Sequence, residues 1–98
     1  MTLWMTEPAP PNPDPRRRRL FWRATHRGTH ENDILLGGFV ARHIDSLTEG
    51  QLDALEEIIE LPDADLGDWL TGRKPIPHGF DSPLLQSIRA FALDPANR

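Results

Sequence analysis

The residues in this sequence that could bind a metal ion are its four histidines, at positions 26, 30, 43 and 78. His26 and His30 are four residues apart, a spacing that places two ligands on one face of a continuous helix. Gly28 lies between them, however, and we expect it to end a helix, so the two side chains should not share a face. The chain has no cysteine, no HExxH sequence and no cluster of histidines with carboxylates. The sequence therefore indicates no metal site.

The side chains that could act as nucleophiles or acid–base catalysts also do not form a recognisable catalytic pattern. Carboxylates are frequent between residues 56 and 68, but their spacing is typical of solvated helix faces and of charges at helix N-termini. No Ser–His–Asp order stands out, and neither GxGxxG nor GxxxxGK, the loops that hold nucleotide phosphates, is present. We therefore predict that the protein is not an enzyme and holds no cofactor of its own.

Charge is unevenly distributed along the chain, although the net charge is only −4. Six of the eleven basic residues fall between Arg16 and Arg27, whereas residues 45–68 contain nine acids and no Lys or Arg. We expect one end of the fold to be basic and another acidic, which suits docking onto a complementary surface. Two alternatives stay open: a helical module that binds nucleic acid through residues 16–27, and an antitoxin-like protein whose acidic face covers a basic site.

The segment HRGTHEND, residues 26–33, contains the pattern with the clearest functional meaning. In it, Arg27 and Glu31 flank a glycine where two helices are expected to meet. One interpretation is structural: Gly28 ends the first helix, and Arg27 and Glu31 form a local ion pair worth about 0–1 kcal/mol if exposed. The other is functional: Gly28 lets the backbone of another protein approach, while Arg27 offers a two-pronged donor and Glu31 an acceptor. The residues favour the two interpretations equally.

Five short helices are expected to position this corner, because apolar residues recur at helical spacing and no period-two run is long enough for a strand. The mid-helix pair Gly37–Gly38 predicts a close approach between helices, and Trp69 is interpreted as a core anchor. The expected fold class is all-α, a compact antiparallel five-helix bundle. Its helices should run over about Pro15–His26, Thr29–His43, Thr48 to before Pro62, Asp63–Thr71, and Ser82 to before Pro95.

The length of 98 residues supports one domain with a thin core. We expect a disordered proline-rich tail over residues 1–15, an ordered domain over residues 16–93 and a disordered end over residues 94–98. No apolar run approaches the roughly 20 residues of a membrane span. The first 15 residues also lack the apolar core of a signal peptide. These features predict a soluble, cytoplasmic monomer.

The order of these motifs resembles that of a known family. An arginine-rich first helix is followed by Arg27-Gly28-x-x-Glu31 and Asp33, then by Leu47-Thr48 at the start of a helix. Residues 61–72 come next and read Leu-Pro-Asp-x-Asp-Leu-x-x-Trp-Leu-x-Gly. Over residues 16–92 this pattern is similar to that of the FAD assembly factors, also called flavinators, SdhE or succinate dehydrogenase assembly factor 2.

The resemblance implies a five-helix chaperone that binds the flavoprotein subunit of succinate dehydrogenase and, in some bacteria, that of fumarate reductase. It further implies that the factor promotes covalent attachment of FAD to a histidine of that subunit, with the bond-forming chemistry belonging to the flavoprotein and flavin. Two positions depart from the family's usual pattern: His30, where a basic residue is common, and Asn32, where an apolar one is. Six residues would form the docking site: Arg27, Gly28 and Glu31 as its motif, with Arg23, His26 and Asp33 beside it.

Overall fold

The structure is a computed structural model, and it describes residues 14–97. No strand occurs within that range, so the predicted all-α bundle is confirmed. Most of the predicted proline-rich tail, residues 1–13, lies outside the described residues. The five helices are α1 (Pro15–Thr25), α2 (His30–His43), α3 (Glu49–Ile59), α4 (Asp63–Leu70) and α5 (Pro83–Leu93), and single 3-10 turns occur at Ile44–Ser46, His78–Phe80 and Pro95–Asn97.

Three helices, α1, α3 and α5, begin at a residue whose side chain caps the first turn. The backbone N–H of Arg16 donates to Asp14 Oδ1 at 3.0 Å, at the start of α1. Thr48 and Gln51 form a capping box at α3, because each backbone N–H donates to the other's side-chain oxygen, at 2.9 and 3.1 Å. Ser82 accepts in the same way at α5. These bonds satisfy donors that the first turn of a helix leaves without a partner, and they fix where each helix starts.

One apolar core joins all five helices. α2 is central, since it packs against α1, α4 and α5, while α3 packs against α1 and α5. Trp69 on α4 is only 5% exposed, in agreement with its interpretation as a core anchor. No helix of the described residues is both long enough and apolar enough to cross a membrane. The largest fully buried side chains are Leu20, Leu36, Val40, Leu52, Leu55, Leu66, Leu70, Leu85 and Ile88.

The two glycines in the middle of α2 allow neighbouring helices to approach on two sides. A Cβ atom at Gly37 would lie 2.9 Å from Thr25 Cγ2 and 3.4 Å from the carbonyl oxygen of Ala24, both at the end of α1. A Cβ atom at Gly38 would lie 3.4 Å from the ring of Phe91 on α5. The predicted close approach at this pair is therefore confirmed, and it holds the end of α1 tightly against α2.

The basic residues of α1 lie against the acidic residues of α3. The guanidinium of Arg16 is 2.6 Å from Asp53 and 3.0 Å from both Glu49 and Glu56. Further along α1, Arg23 pairs with Glu60. The prediction of separate basic and acidic ends is therefore wrong, because the two segments are neighbours in space and Arg16 and Arg23 form ion pairs with the acidic segment.

Candidate functional site

Residues 26–29 form the corner between α1 and α2. α1 ends at Thr25, and Gly28 has φ +95°, a left-handed conformation that side chains other than glycine's rarely adopt. A Cβ atom built at Gly28 would have nothing within 4 Å. Glycine is thus required by the backbone itself, and the space above it is open to an approaching molecule.

The side chain of Arg27 points into the protein and is only 8% exposed. Its Nε donates to Asp63 Oδ1 at 2.7 Å, at the start of α4. Its Nη1 and Nη2 donate to the backbone carbonyls of Ile59 and Leu61, at 2.6 and 2.7 Å. These bonds correct the expected local ion pair, because Arg27 pairs with Asp63 instead of Glu31. All three of these donors of its guanidinium are used within the chain.

Side chains in the first turn of α2 also hydrogen-bond to the corner and to α4. Asp33 Oδ1 accepts from the backbone N–H of Arg27 at 2.7 Å. Asn32 is only 2% exposed, and its Nδ2 donates to both the carbonyl oxygen and the carboxylate of Asp63, at 3.0 and 3.2 Å. Thr29 is the N-cap residue of α2, but its side chain makes no capping hydrogen bond. The corner is therefore fixed by bonds to α4 and to Asp33, not by a cap.

The carboxylate of Asp63 accepts hydrogen bonds from both Arg27 and Asn32. Burial alone would raise its pKa, but hydrogen bonds from Arg27, Asn32 and Thr29, with the positive charge of Arg27, lower the pKa of Asp63 below its ordinary value. The carboxylate thus stays ionised and keeps Arg27 in place at neutral pH. Sequence reasoning interpreted Asp63 only as an N-terminal helix charge. The sequence feature that could have marked Asp63 as part of the site is its position in the Leu61-Pro62-Asp63 motif.

Three of the predicted docking residues reach the surface at the corner. Gly28 and His26 are exposed, and the carboxylate of Glu31 lies 3.8 Å from Arg73 with about half of its side chain in solvent. Arg23 is directed towards Glu60 on α3. The structure therefore separates the six predicted residues into an outward set of Gly28, His26 and Glu31, and a set bonded within the chain of Arg23, Arg27 and Asp33.

The histidines do not converge. His26 follows the last residue of α1 and His30 is the first residue of α2, so the left-handed Gly28 separates them, as predicted. His43 packs against the rings of Phe39 and Phe91. Within residues 14–97, no group of three or more His, Cys, Asp or Glu side chains is arranged to hold a metal ion.

The fold and the corner together define a class of protein: a small all-α bundle in which an arginine–aspartate network holds a glycine corner rigid and open at the surface. Residues 18–92 match the family model described as flavinator of succinate dehydrogenase. The chain belongs to that family, and the assignment made from its motifs is confirmed.

Relatives of this chain occur in bacteria and in eukaryotes. It is 51% identical over 73 residues to the FAD assembly factor SdhE of Acetobacter pasteurianus, covering 74% of this chain and 67% of that protein. It is 42% identical over 76 residues to SdhE of Ralstonia nicotianae, covering 76% and 79%. It is 33% identical over 73 residues to the mitochondrial succinate dehydrogenase assembly factor 2 of Dictyostelium discoideum. That match covers 74% of this chain but only about half, 52%, of the Dictyostelium protein.

Proposed function

We propose that this chain is an assembly factor that binds the flavoprotein subunit of succinate dehydrogenase and promotes covalent attachment of FAD to it. Membership of the flavinator family supports the proposal. The structural observation that carries it is Gly28, whose backbone conformation demands glycine while the space above it stays empty. A left-handed glycine with open space above it suits the close approach of another backbone. The flavoprotein subunit of fumarate reductase is a second partner of the same kind.

The proposed factor acts by binding and not by catalysis. A protein that binds one conformation of a partner more tightly than another shifts the population towards the first, by no more than the difference in binding free energy. A rigid corner suits this role because little conformational entropy is lost on docking. The bond between flavin and histidine then forms within the flavoprotein. A cytoplasmic location and a monomeric free state belong to this proposal.

We propose different tasks for the predicted docking residues, on the basis of their exposure and their bonds within the chain. In the proposal, Gly28, His26 and Glu31 contact the partner, because they are the exposed members of the set. Arg27 and Asp33 are positioning residues, since their bonds fix the backbone on either side of Gly28. A substitution at Gly28 should therefore affect binding directly, whereas one at Arg27 should affect folding as well.

The test is Gly28→Asn, because asparagine tolerates a left-handed backbone better than other side chains do and adds a polar group in the open space. We expect the variant to fold and to lose about tenfold or more in affinity for the flavoprotein subunit, as substitution of a central contact does. Covalent FAD, seen as flavoprotein fluorescence on a denaturing gel, should fall in cells that carry the variant.

Gly79→Asn is the matched control, since a Cβ atom at Gly79 also meets nothing within 4 Å but lies in the turn before α5. It should bind and support flavin attachment like the wild type. If the Gly28→Asn protein folds and binds the flavoprotein subunit with wild-type affinity, the corner is not the docking site. Equal covalent flavin in cells with and without this protein would remove the proposed function itself.

No observation favours the nucleic-acid hypothesis. It depends on a basic surface over residues 16–27, and the side chains of Arg16, Arg17, Arg23 and Arg27 each pair with a carboxylate within the chain. Arginines that are already paired with carboxylates displace few counterions from the phosphates of a nucleic acid. That displacement is the main source of affinity in such complexes.

A further inference from the structure

Trp22 is the most exposed large apolar side chain of the described residues, with 59% of its surface in solvent. It lies on the outer face of α1, four residues before His26, and its indole stacks on the imidazole of His26. The ring centroids are 4.4 Å apart and the ring planes differ by 8°. Single exposed apolar residues are common and need no explanation. A tryptophan stacked on a residue of the proposed docking corner is a more specific arrangement.

The stack is held in one orientation by hydrogen bonds to the backbone and to Thr25. His26 Nδ1 lies 2.9 Å from the carbonyl oxygen of Trp22 and 2.9 Å from Thr25 Oγ1. A carbonyl oxygen can only accept, so Nδ1 carries the proton and Nε2 is the nitrogen left for outside groups. Because the two rings are already ordered, a partner that covers them loses less side-chain entropy than it would on a freely rotating tryptophan.

An open cleft of about 320 Å³ lies beside the stack. Trp22 and Ile59 provide apolar surface, while Arg27 and Asp63 are bonded to each other, so they contribute a polar surface with matched charges. His26 and Arg23 complete the lining. The cleft shares His26 and Arg27 with the corner around Gly28, so the two features form one continuous surface.

We propose that Trp22 and this cleft are a second anchor of the docking surface, and that they receive an apolar side chain of the flavoprotein subunit flanked by carboxylates. Tryptophan is strongly enriched among residues that dominate interface energetics, especially beside a pocket. Carboxylates are the expected flanking groups, because Arg19 is exposed one helical turn before Trp22 and offers a positive charge there. This inference rests on the proposed function and adds the residue that anchors the complex.

The test compares Trp22→Ala with Phe80→Ala in the full-length chain. Phe80 is a suitable control because it is 54% exposed and also contacts an aromatic ring, that of Trp69, but lies in the turn before α5. The purified flavoprotein subunit is titrated against each variant by calorimetry. We expect Trp22→Ala to weaken binding by about tenfold or more and Phe80→Ala by less than about twofold. Both should keep the wild-type melting temperature, since both side chains are mostly in solvent.

The charge preference has its own measurement. Arg19→Glu should slow association with the flavoprotein subunit several-fold in low salt, and the difference should shrink in high salt because exposed charges are screened. An unchanged association rate would contradict the flanking carboxylates.

The failures of the two proposals are distinguishable. If Gly28→Asn loses binding but Trp22→Ala keeps wild-type affinity, the second anchor is wrong and the proposed function stands. If the wild-type chain does not bind the flavoprotein subunit, the proposed function fails and the anchor fails with it.

Discussion

At the scale of single residues, Arg27 shows how a motif can conceal the task of its members. In Arg27-Gly28-x-x-Glu31 the arginine is the residue that sequence reasoning most readily offers to a partner. The structure instead directs it to acceptors 32, 34 and 36 residues further along the chain, at Ile59, Leu61 and Asp63. No local pattern reveals contacts at that separation. A planar guanidinium suits the position, because three of its nitrogens donate in fixed directions to three separate acceptors.

This role predicts a loss of stability when Arg27 is replaced. Arg27→Gln removes the charged donor of the Asp63 carboxylate and the guanidinium donors of two backbone carbonyl oxygens. We expect the free energy of unfolding to fall by about 2–3 kcal/mol, somewhat less than the cost of breaking a fully buried pair, because Asp63 is 38% exposed. Denaturant unfolding measures the change.

Arg73→Gln is the control for that measurement. Arg73 also pairs with two carboxylates, those of Asp68 and Glu31, but its side chain is 58% exposed. Its replacement should alter stability only slightly, as is usual for surface ion pairs. Equal effects of the two substitutions would show that the inward bonds of Arg27 contribute no more than a surface pair.

At the scale of helices, the sequence is a good guide to where each one begins and a poorer guide to what it touches. The starts of α3 and α5 follow from Thr48 and Ser82, because capping is a local interaction of side chain with backbone. The ends are less exact: α1 stops at Thr25 instead of His26 and α4 at Leu70 instead of Thr71. Helix ends vary by a residue or two because the last turn has few fixed partners. Packing partners depend on the whole fold, and no local signal encodes them.

Gly37 provides a test of packing between α1 and α2. In Gly37→Ala the gain in helix propensity is about 1 kcal/mol. The new methyl group, 2.9 Å from Thr25 Cγ2, should cost about 1–3 kcal/mol as overpacking. We expect a net loss of stability on thermal unfolding. Thr25→Ser removes Cγ2 but keeps the hydroxyl that donates to the carbonyl of Phe21, so Gly37→Ala should cost less in that background.

The neighbouring glycine supplies the comparison. Gly38→Ala places its methyl group 3.4 Å from a ring carbon of Phe91, a side chain that can move, so the change should be neutral or stabilising. If Gly37→Ala and Gly38→Ala raise the melting temperature equally, then α1 does not approach α2 as closely as described.

At the scale of the whole molecule, the fold converts a charge-segregated sequence into a charge-paired structure. The basic residues of α1 and the acids of α3 are separated by 33 to 40 residues, as in the contacts of Arg16 with Glu49 and Glu56. Composition could show that the two blocks exist, but only the packing of α1 on α3 shows that they meet. The same packing brings Arg27 to α4. The corner around Gly28 is consequently a property of the assembled bundle, although the identity of its glycine can be predicted from the motif.

The folded protein should lose stability in acid. The direction of this change in the free energy of unfolding follows from the lowered pKa values of two aspartates. Hydrogen bonds from Arg27 and from Arg73 are among the causes that lower the pKa values of Asp63 and Asp68 in the folded chain. The unfolded chain has aspartate pKa values of about 3.9, so on acidification it binds protons before these two groups do in the folded state. The stabilisation is therefore complete above about pH 4 and is lost as the pH falls through the folded pKa values.

Denaturant unfolding at a series of pH values between about 2 and 7 measures this loss. Asp63→Asn should be less stable than the wild type at pH 7, and its stability should decline less steeply in acid, because the group that titrates is gone. Asp68→Asn should also make the dependence of stability on pH less steep. The contribution of Asp68 should disappear in high salt, since its partners Arg73 and Lys74 are exposed and salt screens them. The contribution of Asp63 should persist in salt because Arg27, its partner, is buried. If the acid profile of Asp63→Asn is parallel to that of the wild type, then Asp63 does not carry the charge that holds the corner.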